Sequence, residues 1–367
     1  MALYDLVFKG GGAKGNAFVG ALQAFGEAGH QHRRLVGTSA GAITAVLLGA
    51  GYKPEELLGA ATENIPGTND PVFTTFMDPP VRGDFSQAQI DASETMRLLR
   101  MSPVPLPGFV EEKLIETLLQ LDLYRELFSF DECGGFYAGN AFVGWFRERL
   151  IAKGLSPDIT WQDFAAKTQA DVSVVTSDTT EKEEVVLNHR TAPDCPVAMS
   201  VRMSMSIPFV WREVVWDPEW GQYRGRAKAG DIFVDGGVLS NFPLRLVTDS
   251  SPEVVAIMGD TDPNAAGTIG LYLDATIPAD GAPGPATRRP RLAVADRVTR
   301  LIDTMTDSAD QQAMAAHPAD VCRIPVGGYG TTEFRMSAER QAILIRSGRD
   351  AMTAYLSRLK PRAAIAS

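Results

Sequence analysis

Two glycine-rich turns near the amino terminus restrict this chain more than any other feature. Gly10-Gly11-Gly12-Ala13-Lys14-Gly15 follows the apolar run Leu6-Val7-Phe8, and Gly37-Thr38-Ser39-Ala40-Gly41 follows Leu35-Val36. Each opens into a stretch with helical spacing. Repeated strand–turn–helix units point to a parallel α/β sheet, where the carboxyl ends of neighbouring strands lie side by side and bring their turns together. The second turn has the G-x-S-x-G spelling of a nucleophile elbow, which lifts a serine hydroxyl out of the sheet at a helix N-terminus. Gly37 and Gly41 let the backbone bend there without a Cβ clash. The helix dipole behind Ser39 favours the negative charge that an attacking oxygen carries.

The rest of the chain keeps to the α/β pattern. Strand character is expected at Ala2–Phe8, Arg34–Val36, Phe136–Ala138, Asp171–Thr176, Glu183–Asn188, Phe209–Trp216, Asp231–Val234, Glu253–Met258 and Val321–Val326. Helical spacing is expected over Lys14–Ala28, Ala40–Gly49, from Pro54, and over Glu111–Leu127, Ala141–Lys153, Trp161–Lys167 and Pro196–Ser206. Two more helical stretches, Leu292–Ala316 and Ser337–Leu359, make the carboxyl-terminal part (291–360) helical, after a Pro/Gly loop from Pro278 to Pro290. Residues 64–110 are rich in Pro, Gly and Asp and read as a lid-like insertion. With no repeat and no clean linker, 1–367 reads as one domain.

A serine needs a base to take its proton. The chain has four histidines, His30, His32, His189 and His317, and none sits in a glycine-flanked or strand-end context. His317 alone would complete the order Ser, Asp, His of a triad. A carboxylate is the stronger candidate. Ile232-Phe233-Val234-Asp235-Gly236-Gly237 sets Asp235 at the end of an apolar strand, where burial raises a carboxyl pKa and strengthens it as a base. The competing reading of Asp235 is a plain Asx turn.

The first glycine turn literally satisfies G-x-G-x-x-G. A dinucleotide site wants an acid about 20 residues further on; Val36-Gly37-Thr38 stands there, and Asn16-Ala17 after Gly15 breaks the phosphate-loop pattern. An oxyanion hole suits the turn better: the N–H groups of Gly10, Gly11, Gly12 and Gly15 facing a developing alkoxide, with Lys14 beside them. A non-enzymatic phosphate-binding protein is the alternative from another class.

A net charge of −10 argues against nucleic acid as a partner and predicts no general attraction to anionic membranes. Three scattered cysteines, Cys133, Cys195 and Cys322, form no disulfide or metal pattern and read as packing residues. No secretory signal or run of about 20 apolar residues is seen, so a cytoplasmic protein is expected, with peripheral contact at membranes still open. The stretch Val72–Val110, with Trp216, Trp220 and Tyr223, is a candidate apolar channel or lipid-facing lip, with ordinary core and loop packing as the competing reading.

Taken together, Gly10–Gly15, Gly37–Gly41, Arg202-Met203-Ser204-Met205-Ser206-Ile207-Pro208-Phe209 and Asp235-Gly236-Gly237 resemble the patatin-like phospholipases, over about Leu3 to Leu244. The resemblance implies a three-layer α/β/α fold with a mainly parallel sheet. It also implies a Ser-Asp dyad without histidine, with Ser39 as nucleophile and Asp235 as general base. The implied activity is hydrolysis of phospholipid or other acyl-lipid esters, of phospholipase A or lysophospholipase type, with no metal or cofactor. Lys14 stands where that family more often has arginine, and Gly237 where it has alanine or glycine. A Ser-Asp-His esterase using His317 and an acyltransferase remain the neighbouring alternatives.

Overall fold

The computed structural model describes residues 2–101, 107–260, 266–282, 297, 300–301, 304 and 310–359. Its strands are β1 (Leu3–Phe8), β2 (Gln31–Thr38), β3 (Gly135–Tyr137), β4 (Asp171–Asp178), β5 (Glu183–Leu187), β6 (Phe209–Trp211), β7 (Val214–Val215), β8 (Gln222–Tyr223), β9 (Arg226–Ala227), β10 (Ile232–Asp235), β11 (Gly267–Pro278) and β12 (Val321–Gly327). An eight-stranded sheet runs β12-β11-β1-β2-β4-β10-β7, with β5 also paired to β4. From β12 to β4 the strands are parallel. Strands β5 and β10 join β4 antiparallel, and β7 joins β10 the same way.

The helices are α1 (Asn16–Glu27), α2 (Ala40–Gly49), α3 (Pro54–Ala61), α4 (Gln87–Ala92), α5 (Glu94–Arg100), α6 (Gly108–Leu118), α7 (Asp122–Cys133), α8 (Asn140–Ala152), α9 (Trp161–Thr168), α10 (Val197–Ser204), α11 (Arg245–Thr248), α12 (Pro252–Met258) and a last helix, Ala338–Arg358. Alternation along the strands sorts them into layers. Leu6, Phe8, Leu35, Val172 and Val174 face the large core beneath α1, α2 and the last helix. Val7, Val36 and Val175 face a second core closed by Leu246, Val254, Ile257 and Met258 of α11 and α12. The architecture is a three-layer α/β/α sandwich.

Several local expectations are corrected. Glu253–Met258 is helical: Pro252 occupies the first turn after Ser251, and Val254, Ile257 and Met258 bury one face at helical spacing. A short apolar run carries no period that separates the two states. Strand β11, between β1 and β12, was not anticipated, because Gly267 and Gly270 look like breakers. Gly270 is instead needed within the strand, since a Cβ there would lie 2.5 Å from the Phe242 ring. Phe209–Trp216 divides between two sheets, β6 pairing with β3 and β7 with β10. Glu111–Leu127 is broken into α6 and α7, with Asp122 opening the second helix, where a carboxylate is favoured. The helical insertion therefore runs on to Cys133, around a small core of Phe85, Ile90, Met96, Ile115, Leu119 and Phe128. The Leu292–Ala316 helix and the Pro278–Pro290 loop fall largely outside the described residues.

Candidate active site

The register of the sheet brings the two turns and Asp235 to one level. Phe8 pairs with Gly37, Thr38 with Val175, and Thr176 with Asp235. Because β10 is antiparallel, Asp235 reaches this edge from the opposite direction to the two turns. Ser39 Oγ donates to Asp235 Oδ2 at 2.7 Å, and both residues are buried. The other carboxylate oxygen, Oδ1, accepts the Gly237 N–H at 2.7 Å. The Asx turn and the candidate base are thus the same feature: one oxygen holds the turn, which aims the other at the serine.

Ser39 has φ +53° and ψ −121°, a backbone state that costs about 1–3 kcal/mol and persists only where its surroundings enforce it. The enforcing contacts are visible. The Ser39 N–H donates to Ser204 Oγ at 2.9 Å, and Ser204 in turn donates to the Val175 carbonyl at 2.6 Å. Thr38 Oγ1 donates to the Ser240 carbonyl. Gly41 lies against β1 so closely that a Cβ would stand 2.3 Å from the Phe8 carbonyl oxygen, and one on Gly37 would stand 2.2 Å from that of Gly41. The elbow glycines therefore serve close approach rather than unusual torsion. Gly236 does likewise against the Val175 carbonyl, at 2.2 Å.

The Arg202–Phe209 block braces both partners. Ser204 holds the elbow, and the Ser206 carbonyl accepts the Asp235 N–H at 2.9 Å. The buried Arg202 guanidinium, pushed down to about 10 by burial, donates to Ser206 Oγ and to the carbonyls of Ala138 and Arg212. Sequence reasoning missed these supporting roles, and also that of Asn241. The only signal was the spacing of small polar residues inside the two motifs.

In the first glycine turn the Gly10 N–H is already donated to the Asn241 carbonyl, Ala13 N–H to Thr331 and Lys14 N–H to Gly11. Gly15 packs on α2, a Cβ there standing 2.9 Å from that of Ala40. Gly11 and Gly12 are left as the N–H groups without a backbone acceptor among the described residues. Gly12, at φ +55°, also leaves room for the Thr331 carbonyl. Lys14 is buried in the wall of a cavity that Gly10, Gly11 and Gly12 also line.

Ser39 stands where two chambers meet. One, of about 100 Å³, is apolar and is lined by Val19, Ile43, Leu47, Phe73, Phe76 and Trp145 among others. The other, of about 150 Å³, is the more polar of the two, with Lys9, Lys14, Asn241, Tyr272, Asp274 and Thr276 in its wall beside Ile207, Leu273 and Ala275. Lys9 pairs with Asp310 at 2.9 Å and lies over the Tyr272 ring. Burial pulls its pKa down, but Asp310 and Tyr272 prevail and hold it above the ordinary lysine value.

The histidines lie elsewhere. His30 and His32 flank the start of β2, His189 follows β5 beside the start of β4, and His317 precedes β12, paired with Asp320 at 3.6 Å. All four therefore sit at the amino-terminal edge of the parallel strands, across the sheet from Ser39. Trp216 and Tyr223 are not at a lip: both are buried, Trp216 against Trp220 and Phe233. Among the described residues, no helix is long and apolar enough to cross a membrane.

The chain is 27% identical over 356 residues to the uncharacterized protein YqhO of Bacillus subtilis (strain 168), covering 94% of this chain and 95% of that one. It is 24% identical over 149 residues to the probable lipid hydrolase 463L of Invertebrate iridescent virus 6, covering 40% of this chain and 47% of the viral protein. Among solved structures, VipD from Legionella pneumophila aligns with a TM-score of 0.49 at 17% identity, over 96% of this chain and 66% of VipD. The model of the patatin-like phospholipases matches residues 6–248, most of the chain, and the protein belongs to that family.

Proposed function

We propose that the protein hydrolyses carboxylic esters of acyl lipids through Ser39 and Asp235, as a phospholipase A or lysophospholipase. The observation that carries this reading is the 2.7 Å hydrogen bond between the strained elbow serine and a carboxylate whose second oxygen is fixed. Asp235 takes the Ser39 proton as Oγ attacks the ester carbon. Charge passes to the carbonyl oxygen, which the Gly11 and Gly12 N–H groups receive; one such donor is worth about 3 kcal/mol of barrier. Collapse breaks the bond to the alcohol, which leaves with the proton from Asp235. Water, giving its proton to Asp235, then attacks the acyl-serine, and the fatty acid departs as Ser39 is reprotonated. The apolar chamber suits the acyl chain.

The lipid itself is met by the inserted helices. Leu98, Met101, Phe109, Leu121, Leu123 and Leu127 are all exposed there, Phe109 by 72%. So many large apolar side chains left exposed within one inserted segment suit a contact surface. The same insertion sends Phe73 and Phe76 into the apolar chamber. The net charge of −10 favours neutral or zwitterionic lipid over anionic lipid.

The test is incubation with mixed phospholipids, neutral lipids and short esters, with released fatty acids read by mass spectrometry. Wild type releases fatty acid, and Ser39→Ala and Asp235→Ala each abolish release while remaining folded. Retained turnover in either variant overturns the dyad, and loss of turnover in His317→Ala alone would favour a triad.

A further inference from the structure

We infer that the polar chamber is the subsite for the alcohol half of the ester, and that the side-chain amide of Asn241 binds that half. The inference rests on the proposed ester hydrolysis, since it assigns the second side of the same serine. Asn241 lies in the loop that follows Asp235, and its two parts do different things. Its backbone carbonyl accepts the Gly10 N–H at 2.9 Å and so ties the first glycine turn to the loop of the base. Its side chain, only 6% exposed, has no hydrogen-bond partner among the described residues. An amide held in a cavity wall without a protein partner is one that a bound group can complete.

The surroundings show that space is reserved for this amide. A Cβ on Gly10 would lie 2.2 Å from Asn241 Oδ1 and 3.3 Å from Ser39 Cβ. One on Gly237 would lie 3.0 Å from both Asn241 Oδ1 and Asp235 Oδ1. Two motif glycines thus make room for the amide beside the dyad, in the wall of the polar chamber. Beside Ile207, Leu273 and Ala275, the remaining wall brings Lys9, Lys14, Tyr272, Asp274 and Thr276, polar groups that the first chamber lacks and that suit an oxygen-bearing alcohol. The class recognised is therefore an acyl ester of a glycerol-type alcohol, with or without a phosphate. Removing a donor built for such oxygens penalises alcohols that carry them and spares those that do not.

The experiment compares three esters of one fatty acid: the ethyl ester, the monoacylglycerol and the 1-acyl-glycerophosphocholine. Asn241→Ala is expected to lower kcat/KM about tenfold or more on the two glycerol esters and less than about threefold on the ethyl ester. The size of the loss on each glycerol ester separates a hydroxyl contact from a phosphate contact. Asn241→Ser, smaller yet still polar, is measured beside it, and labelling of Ser39 by a fluorophosphonate probe checks that each variant is folded and armed. Equal loss on all three esters, or no loss on the glycerol esters, overturns the assignment of Asn241. Wild type that neither labels at Ser39 nor cleaves any ester overturns the hydrolase reading instead.

Discussion

The strand-end turns and the inserted helices are built on opposite rules. Around Ser39 the backbone is packed to contact, apolar side chains point inward, and nearly every polar group has a designated partner. In the helical unit ending at Cys133, a small core holds short helices together while leucine, methionine and phenylalanine side chains face outward. The first region tolerates no added atom because its geometry is the chemistry. The second has slack, because its outer face is left exposed and, on the proposed reading, meets a surface rather than a single position. On the proposed reading, one protein thus separates the precision needed to move a proton from the adhesion needed to reach a lipid.

The largest expected difference is catalytic. Asp235→Asn keeps the shape of the turn but removes the base, and turnover should fall by about three orders of magnitude or more with an unchanged melting temperature. Steady-state kinetics beside a thermal melt read both. Next comes an alanine scan of glycines across the two regions. Gly41→Ala forces a Cβ to within 2.3 Å of the Phe8 carbonyl and should cost about 1–3 kcal/mol, whereas Gly83→Ala meets nothing within 4 Å and should stay within about 0.5 kcal/mol of wild type. Urea unfolding curves measure both; equal costs would erase the contrast.

A smaller effect is expected on the outer ridge. Phe109→Asp combined with Leu123→Asp should lower hydrolysis of zwitterionic vesicles about tenfold and leave a dispersed short ester and the melting temperature unchanged. Co-sedimentation of the Ser39→Ala variant with vesicles reads the contact without turnover. The mildest test uses the thiols. Burial pushes Cys195 and Cys322 up to about 12, while Cys133, at the end of α7, is only half-buried. A thiol reagent at pH 8 should modify Cys133 first and reach the other two only on unfolding.

Patterns short enough to lie within one element were legible. The elbow, the glycine turn and Asp235-Gly236-Gly237 announce themselves because each is a local backbone demand written in a few residues. Strand β11 and helix α12 were misread for the opposite reason: Gly270 and Glu253–Met258 owe their state to Phe242 and to the second core, which no local window contains. The break between α6 and α7 was hidden in the same way, since the apolar spacing runs straight through it.

Residue order alone was enough to establish an α/β chain with a serine elbow, a loop of glycine amides and an acid after an apolar strand, because torsion and spacing are properties of neighbours. Packing alone decided that Asp235 arrives on an antiparallel strand, that Gly10 is tied down while Gly11 and Gly12 are not, and that every histidine lies at the far edge. Those outcomes depend on which distant segments share a register and a hydrogen bond, and such pairings exist only once the sheet has closed around them.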